Sequence, residues 1–265
     1  MSNSINRLLL LCDWFAPGYR AGGPITSCVN LTRLLSNQCE LRIVTGSKDL
    51  GDTNSYAGVT PNQWTNWESS TQVLYGTSKH HLRGAVFSAA REFQPRAVYL
   101  NSMFSWKTCI LPALFQRRLG DARIVLAPRG MLKASALQHR PLRKKLWLTT
   151  MRMLGLDRRI IFHATSPAEQ AEIQTIFGKQ AKTVVLPNVP RSPVAELPFV
   201  EKMSNHLRLA FVGRWHPIKN LLLVLQVLKN QTFDCQFEII GPQEDGEYSA
   251  KCQAAIHELP ANIQV

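Results

Sequence analysis

Phe211-Val212-Gly213-Arg214-Trp215-His216-Pro217-Ile218-Lys219-Asn220 is the stretch whose reading decides the fold of this 265-residue chain. The apolar run Leu207 to Val212 reads as a buried strand that stops at Gly213, and Leu221 to Leu228 reads as the helix that follows. The turn between them carries two cations five positions apart, Arg214 and Lys219. In an open α/β sheet, ligands bind outside the carboxyl ends of the strands. The next helix aims its N-terminus, with a partial positive charge, at the same place. Gly213 lets a ligand approach the backbone, Arg214 can fork onto two phosphate oxygens, and Lys219 adds a point charge. The chemistry suits a diphosphate, and His216 sits inside the turn. Two solvated loop cations are the equally simple reading.

Outward from this turn the same alternation fills the chain. Leu8–Cys12, Leu41–Thr45, Gln72–Tyr75, Ala97–Leu100, Arg123–Ala127, Ile160–Ala164 and Thr183–Leu186 read as strands. Helical patterns fall at Pro24–Ser36, Gly84–Phe93, Lys107–Leu119, Pro141–Leu154 and Pro167–Phe177. Such alternation means a parallel sheet wrapped by helices. Ser166-Pro167-Ala168-Glu169 reads as a capping box with Gly178 closing its helix, and Pro141 and Gly155 bound the helix before it. The proline-rich stretch 187–206 reads as a linker. After it a βαβαβ pattern begins afresh: Leu207–Val212, a helix from about Lys219, Gln236–Ile240, a helix across Tyr248–His257, and Asn262–Val265. The expected domains are therefore 1–186, a parallel-sheet domain wrapped by helices, and 207–265, where a second such pattern starts. Gly46–Ser70 reads as a long loop whose Trp64 and Trp67 either stack on a sugar, dip into a membrane face, or plug the underside of the loop.

Composition excludes several classes. No apolar run approaches the ~20 residues of a membrane span, and Leu8 to Cys12 is too short for a signal-peptide core. The six cysteines form no C-x-x-C pair and sit mostly in apolar segments, against a disulfide frame or a zinc site. The chain reads as cytoplasmic. Its net charge of +13 is uneven: residues 1–204 hold 26 Lys and Arg against 12 acids, and residues 205–265 hold 5 against 6. Nucleic acid, an anionic membrane face and phosphorylated substrates each explain such a charge. Nucleic acid is disfavoured, because no recognised motif or aromatic–basic sheet pattern occurs. Nine Lys and Arg stand against Asp157 alone between Arg129 and Arg159. Within that segment Leu142, Leu146 and Met153 lie near one helical face, with Arg143, Lys144, Lys145 and Arg152 on the positive side. A basic amphipathic helix of this kind lies on an anionic surface, or is an ordinary domain helix with a solvated face.

The first strand-to-helix turn, Asp13 to Pro24, contains Gly22-Gly23 before the helix, which lets backbone N–H groups face an anion. It is not G-x-G-x-x-G, and no G-x-x-x-x-G-K-[ST] occurs, so dinucleotide and P-loop readings lack support. Arg129-Gly130 follows the strand Arg123–Ala127 at the same sheet edge. His163 ends a later strand, where a lone histidine is more often packed than catalytic.

Taken in order, these pieces resemble the retaining glycosyltransferases of family 4, which have the two-domain GT-B fold. Gly22-Gly23-Pro24 resembles that family's first glycine turn. Ala127-Pro128-Arg129-Gly130-Met131-Leu132 with Ala136-Leu137 resembles the P-R-G-x-L…A-L of a polysaccharide-building branch. His163-Ala164-Thr165-Ser166 with Glu169 resembles H-A-T-S-x-x-E, and Leu186-Pro187-Asn188 the P-N before the domain crossing. Phe211 to Asn220 matches F-V-G-R-x-x-x-x-K-N. Ile239-Ile240-Gly241-Pro242 resembles I-x-G-x-G, departing at the second glycine. The resemblance implies an α/β, GT-B-type chain: one complete Rossmann-like parallel-sheet domain and an incomplete second one. It implies transfer of a sugar from a nucleotide-diphosphate donor to a lipid-linked or saccharide acceptor in surface-polysaccharide assembly, usually without metal and with no cofactor beyond that co-substrate. Arg214 and Lys219 are then the catalytic cations. Gly22, Gly23, Gly213, His216 and Gly241 frame the donor, and Asn101, Arg129 and His163 line the acceptor side or cleft. The basic first domain would face the inner leaflet, a peripheral location. Two departures are visible. Asn101 stands in the region where many relatives have His, and the family's E-x₇-E falls beyond Val265, so weak or absent turnover by this short chain is expected. The reading from another class is a non-catalytic basic protein bound to an anionic membrane or nucleic acid.

Overall fold

The computed structural model describes residues 6–191 and 206–265. The chain divides into two compact units, Met1–Ser192 and Pro193–Val265. Most of the linker expected at 187–206 lies outside the described residues.

In the first unit, β1 (Arg7–Leu11) feeds α1 (Gly23–Leu35) and β2 (Glu40–Gly46). Next come β3 (Trp64–Asn66), β4 (Thr71–Gly76), α2 (Lys79–Phe93) and β5 (Ala97–Leu100). A helical stretch from Trp106 to Leu119 contains α3 (Leu111–Leu114). After it come β6 (Arg123–Leu126), α4 (Ala134–Gln138), α5 (Pro141–Met153), β7 (Ile160–Ala164), α6 (Pro167–Phe177) and β8 (Thr183–Val185). The sheet order is β3-β4-β2-β1-β5-β6-β7-β8, parallel throughout except for β3, which pairs antiparallel with β4. Strand order therefore reverses between β1 and β5, and that switch point opens a crevice at the carboxyl ends of the strands. The strands read as apolar runs because both faces are covered. Leu9, Leu11, Val98, Leu100, Ile124, Leu126 and Phe162 share one cluster with residues of α2, α5 and α6. Leu10, Ile43, Val73 and Tyr99 face the other way, with Cys28 of α1 and Phe15.

The segment read as a plain loop, Gly46–Ser70, carries β3 and covers the second face with Tyr56, Val59 and Trp67. Trp67 meets Phe15 edge-on at 5.0 Å, and Arg42 lies 5.0 Å over Trp64. Both tryptophans thus pack inward. The helix expected at Lys107–Leu119 is broken: a π turn over Trp106–Ile110, a short α segment and a 3₁₀ turn succeed one another. Pro112, without an N–H, cannot continue regular α bonding there.

The second unit holds β9 (His206–Val212), α7 (Leu221–Leu228), β10 (Asp234–Ile240), α8 (Gly246–His257) and β11 (Ile263–Gln264). Its parallel sheet has the order β11-β10-β9. Leu221, Leu225, Phe237, Tyr248 and Cys252 build the one apolar cluster among its described residues.

Candidate functional site

The carboxyl edge of the first sheet gathers residues up to 160 positions apart. Gly22 has φ +63, and the space a Cβ would take at Gly22 or Gly23 is open. Ile25 and Thr26 both donate backbone bonds to the Gly22 carbonyl. Among the described residues, the Ala21 and Gly23 N–H groups of that turn have no partner. Asp49 fixes the loop from below: its buried carboxylate accepts bonds from the Tyr19, Arg20 and Leu50 amides at 2.8, 3.1 and 2.8 Å. Burial alone would raise this carboxyl, but those amides outweigh it and hold it below the usual carboxylate range.

Asn101, Arg129 and His163 are brought together at the same edge. Arg129, with φ +55, donates from Nε to Asn101 Oδ1 at 2.8 Å, from Nη2 to the Tyr99 hydroxyl at 2.8 Å, and from Nη1 to Asn188 Oδ1. The Tyr99 hydroxyl lies 2.6 Å from His163 Nδ1, and His163 Nε2 lies 2.8 Å from the Leu186 carbonyl. The carbonyl can only accept, so His163 carries its proton on Nε2 and Tyr99 donates to Nδ1. Burial, with Arg129 nearby, outweighs the Leu186 bond and lowers the His163 pKa, so the ring is neutral. Asn101 Nδ2 reaches the Pro24 carbonyl at 3.4 Å, and Asn30 Nδ2 the Val189 carbonyl at 2.9 Å. Arg129 thus bonds Asn101 directly and His163 through the Tyr99 hydroxyl, and Arg129, His163 and Asn30 hold the segment leaving β8 against the sheet edge. Tyr99 was not singled out from the sequence, because it sits inside an apolar strand and its hydroxyl becomes significant only once His163 and Arg129 meet it.

Glu169 completes the network and departs from the expected capping box. Ser166 Oγ caps α6 by accepting from the Glu169 amide at 3.2 Å. The Glu169 carboxylate does not return to the Ser166 amide. It accepts from the Gly130 amide at 2.6 Å and from the Thr165 amide and hydroxyl, both at 2.7 Å. The left-handed pair Arg129-Gly130 presents the Gly130 N–H to it, which draws the carboxylate away from the cap. Burial pushes this carboxyl up, but the Gly130 and Thr165 bonds and the Arg129 charge outweigh it, and its pKa is lowered.

A pocket of about 450 Å³ opens on this edge between Asp13, Trp14, Lys48, Thr77, Trp106 and Lys107. One Asp13 oxygen is held by the Ser105 and Thr108 hydroxyls, the latter at 2.9 Å. Lys48 and Trp106 are exposed on the rim.

In the second unit, Gly213, Arg214, His216, Lys219 and Gly241 come together at the carboxyl ends of β9 and β10. A Cβ at Gly241 would stand 2.0 Å from the Gly213 carbonyl oxygen, so only glycine fits. The Gly213 amide bonds the Ile240 carbonyl at 2.9 Å, and the Trp215 amide bonds the Pro242 carbonyl at 2.9 Å. The two loops are zipped into one shelf. The Lys219 stem runs beside Gly213, its Cδ 3.7 Å from the Cβ position there. Arg214 pairs through Nη1 with both oxygens of Glu244, at 2.9 and 2.8 Å. Both partners are about half-exposed, so the pair is worth ~0–1 kcal/mol. His216 Nδ1 accepts from the Ile218 amide at 3.2 Å and caps the short 3₁₀ turn Pro217–Lys219. The start of α7 is partly engaged already, because the Leu222 amide donates to the Tyr248 hydroxyl at 3.0 Å. Glu244 and Tyr248 gave no sign in the sequence, lying about thirty residues from the groups they meet.

No family model and no curated protein matches this chain by sequence. Solved structures do resemble it. Anabaena HepE in complex with UDP and glucose superposes with a TM-score of 0.62 at 12% identity, covering 98% of this chain and 68% of its own. The lipopolysaccharide outer core galactosyltransferase WaaB, in its apo form, gives 0.56 at 15%, covering 97% and 66%. An Escherichia coli structure described as trehalose-6-phosphate bound with UDP-2-fluoro glucose gives 0.54 at 10%, covering 96% and 69%. The chain thus spans about two thirds of the length of these neighbours. At such identities the likeness is one of architecture, and the architecture is the GT-B type: an eight-stranded Rossmann-like unit followed by a second, smaller parallel-sheet unit.

Proposed function

We propose that this chain is a glycosyltransferase of the family 4 type that moves a sugar, with retention, from a nucleotide-diphosphate donor to a lipid-linked or saccharide acceptor. The observation that carries the reading is the shelf of Gly213 and Gly241 with Arg214 and Lys219 on it, at strand ends of a GT-B-type chain. A leaving diphosphate gains negative charge as the glycosidic bond breaks. Cations fixed where that charge develops lower the barrier most. A diphosphate competes with Glu244 for Arg214, and the half-exposed pair is weak enough to yield. The pocket at Asp13, Trp14 and Trp106 is the proposed seat of the acceptor, with aromatic surface for a sugar and Lys48 and Lys107 for a linked phosphate. Surface-polysaccharide assembly and a cytoplasmic, membrane-peripheral location are part of the same proposal. The UDP and UDP-sugar complexes of two neighbours support a nucleotide-sugar donor.

The test is turnover of a panel of nucleotide-sugars by the wild type and by R214A and K219A. Each variant is expected to lose about 10²-fold or more, as removal of one electrostatic stabiliser does. Unchanged turnover in both would remove the assignment. A further third of chain stands in each neighbour, and we propose that residues 1–265 alone turn over weakly. The assay is therefore repeated with the last third of HepE appended. A second reading, a non-catalytic basic protein on an anionic membrane, rests on the exposed leucines of α5, and donor-independent vesicle binding with no turnover in either form would favour it.

A further inference from the structure

A large concavity of the first unit is lined by none of its site residues described above. It is an open groove of about 1270 Å³ between the outer face of α2 and the turn leading into β6. Arg83, Arg91, Arg96, Arg117, Arg118 and Arg123 line it, with Asp121 the one acid among its lining residues. None of the six is paired with a carboxylate among the described residues, although Arg7, Arg20 and Arg33 of the same unit all are. Six arginines thus line one concavity against the single acid Asp121, and like charges so placed repel one another; Arg96 Nη1 donates to Asn6 Oδ1 at 3.2 Å, but among the described residues no carboxylate pairs with any of the six.

The floor of the groove gives a second, independent sign. Gly84 lies inside α2 with open space where a Cβ would stand and no positive φ. Packing and backbone geometry therefore do not call for glycine, which weakens a helix relative to alanine. Its effect is to leave the backbone bare between Arg83 and Arg91, beside the small Ser88. Arg83 and Arg91 are eight residues apart, about 12 Å along the helix, too far for one phosphate to bridge. Arg118 lies 4.5 Å over the Phe87 ring, so that ring is already stacked and offers no platform to a base.

We propose that this groove binds a soluble oligophosphate, a ligand carrying several phosphate groups in series, which the arginines grip in bidentate fashion over the Gly84 floor. The concave shape favours a ligand sunk between two walls over a flat bilayer, and the covered Phe87 ring disfavours nucleic acid. The groove belongs to the first unit and the shelf at Arg214 to the second, so its fate does not depend on sugar transfer.

The probe is tripolyphosphate, titrated calorimetrically at low salt against the 265-residue chain. Saturable binding is expected, weakening as salt rises. R83Q/R91Q/R117Q should weaken it at least tenfold. K133Q/K179Q/K182Q, which removes equal charge elsewhere on the same unit, should change it less than twofold. G84L should also weaken it at least tenfold while leaving the unliganded melting temperature equal or higher, because the leucine fills the floor of a helix it favours. Absence of binding by the wild type, or equal loss in the two charge triplets, overturns the proposal. So does arginine-dependent capture of anionic vesicles or of a single-stranded oligonucleotide without tripolyphosphate binding, which would make the groove a membrane or nucleic-acid contact.

Discussion

Gly241, with φ +151, shows how a single residue type can be fixed by its neighbour as well as by its own turn. A Cβ at this position would overlap the Gly213 carbonyl, a backbone atom that cannot swing aside as a side chain would. Gly213 is different: a Cβ there meets Phe211 at an ordinary 3.5 Å. Gly213→Ala is thus tolerated by packing and affects only what approaches the shelf. Gly241→Ala must push β9 and β10 apart. It is expected to destabilise the second unit by about 1–3 kcal/mol, the usual cost of forced overpacking. Denaturant unfolding followed through Trp215, which is buried in that unit, measures it. Equal stability of the two alanine variants would show that the shelf relaxes freely. The sequence offered both glycines as donor-binding residues on the strength of a motif resemblance. It could not distinguish them, because their difference lies in a contact between two loops.

Among the elements, α6 and the turn after β6 are coupled through one carboxylate. Glu169 keeps its charge because three donors from two segments converge on it. Its folded pKa lies below the unfolded value, so its stabilisation is fully present above about pH 4.3 and is lost as pH falls through the lower folded value. Replacement by Gln keeps the shape and removes the charge. E169Q is expected to lose about 1.5–3 kcal/mol near neutral pH, the worth of hydrogen bonds to a charged group. The gap to wild type should close as pH drops below that window. A gap that stays constant from pH 7 to 3 would show that charge is not the source. On α5, Trp147, Leu148 and Met151 are buried, while Leu142, Leu146 and Met153 are 82, 70 and 80% exposed. Arg143, Lys145 and Arg152 are exposed beside them, whereas Lys144 turns back to the Ala136 carbonyl at 2.6 Å. Apolar residues held out among cations fit an anionic bilayer, at about 1 kcal/mol per cation near the surface. Vesicles containing phosphatidylglycerol should retain the protein at low salt, and R143Q/K145Q/R152Q should cut retention at least tenfold. Equal retention by neutral vesicles would dispose of the idea. The parallel strands of the first unit were legible because burial on both faces makes them continuous apolar runs bounded by turn residues. β3 was not, since three residues on an antiparallel edge leave no periodicity. The broken helix after β5 was missed because Trp106 to Leu119 is apolar enough to suit any helical form, and Pro112 suits the first turn of a helix as well as a break.

At the scale of the whole molecule, the two units differ in how their sheets are covered, and this sets an order of opening. The first unit buries its central strands from both sides, with Leu9, Leu10 and Leu11 of β1 all inaccessible. Among its described residues the second has one cluster, on one face of its sheet. Along β10 the alternation is strict at first: Cys235 and Phe237 are buried, Asp234, Gln236 and Glu238 exposed. On β9 Val212 is exposed, and on α7 so are Leu223 and Val227. Opening free energy follows buried apolar area and local packing, and a sheet covered on one face has less of both. Amides of β9 and β10 are therefore expected to exchange through an opening of lower free energy than those of β1 and β5. In native-state hydrogen exchange under increasing denaturant, residues 206–265 should lose protection first while the core of residues 7–185 remains closed. A saturating UDP-sugar held by Arg214 and Lys219 would raise protection in the second unit by mass action, by ~2.7 kcal/mol at a hundredfold excess over Kd. Loss of protection in both units at one denaturant concentration would show that they unfold as a single cooperative body. Protection of 206–265 unchanged by any nucleotide-sugar would count against the donor shelf itself.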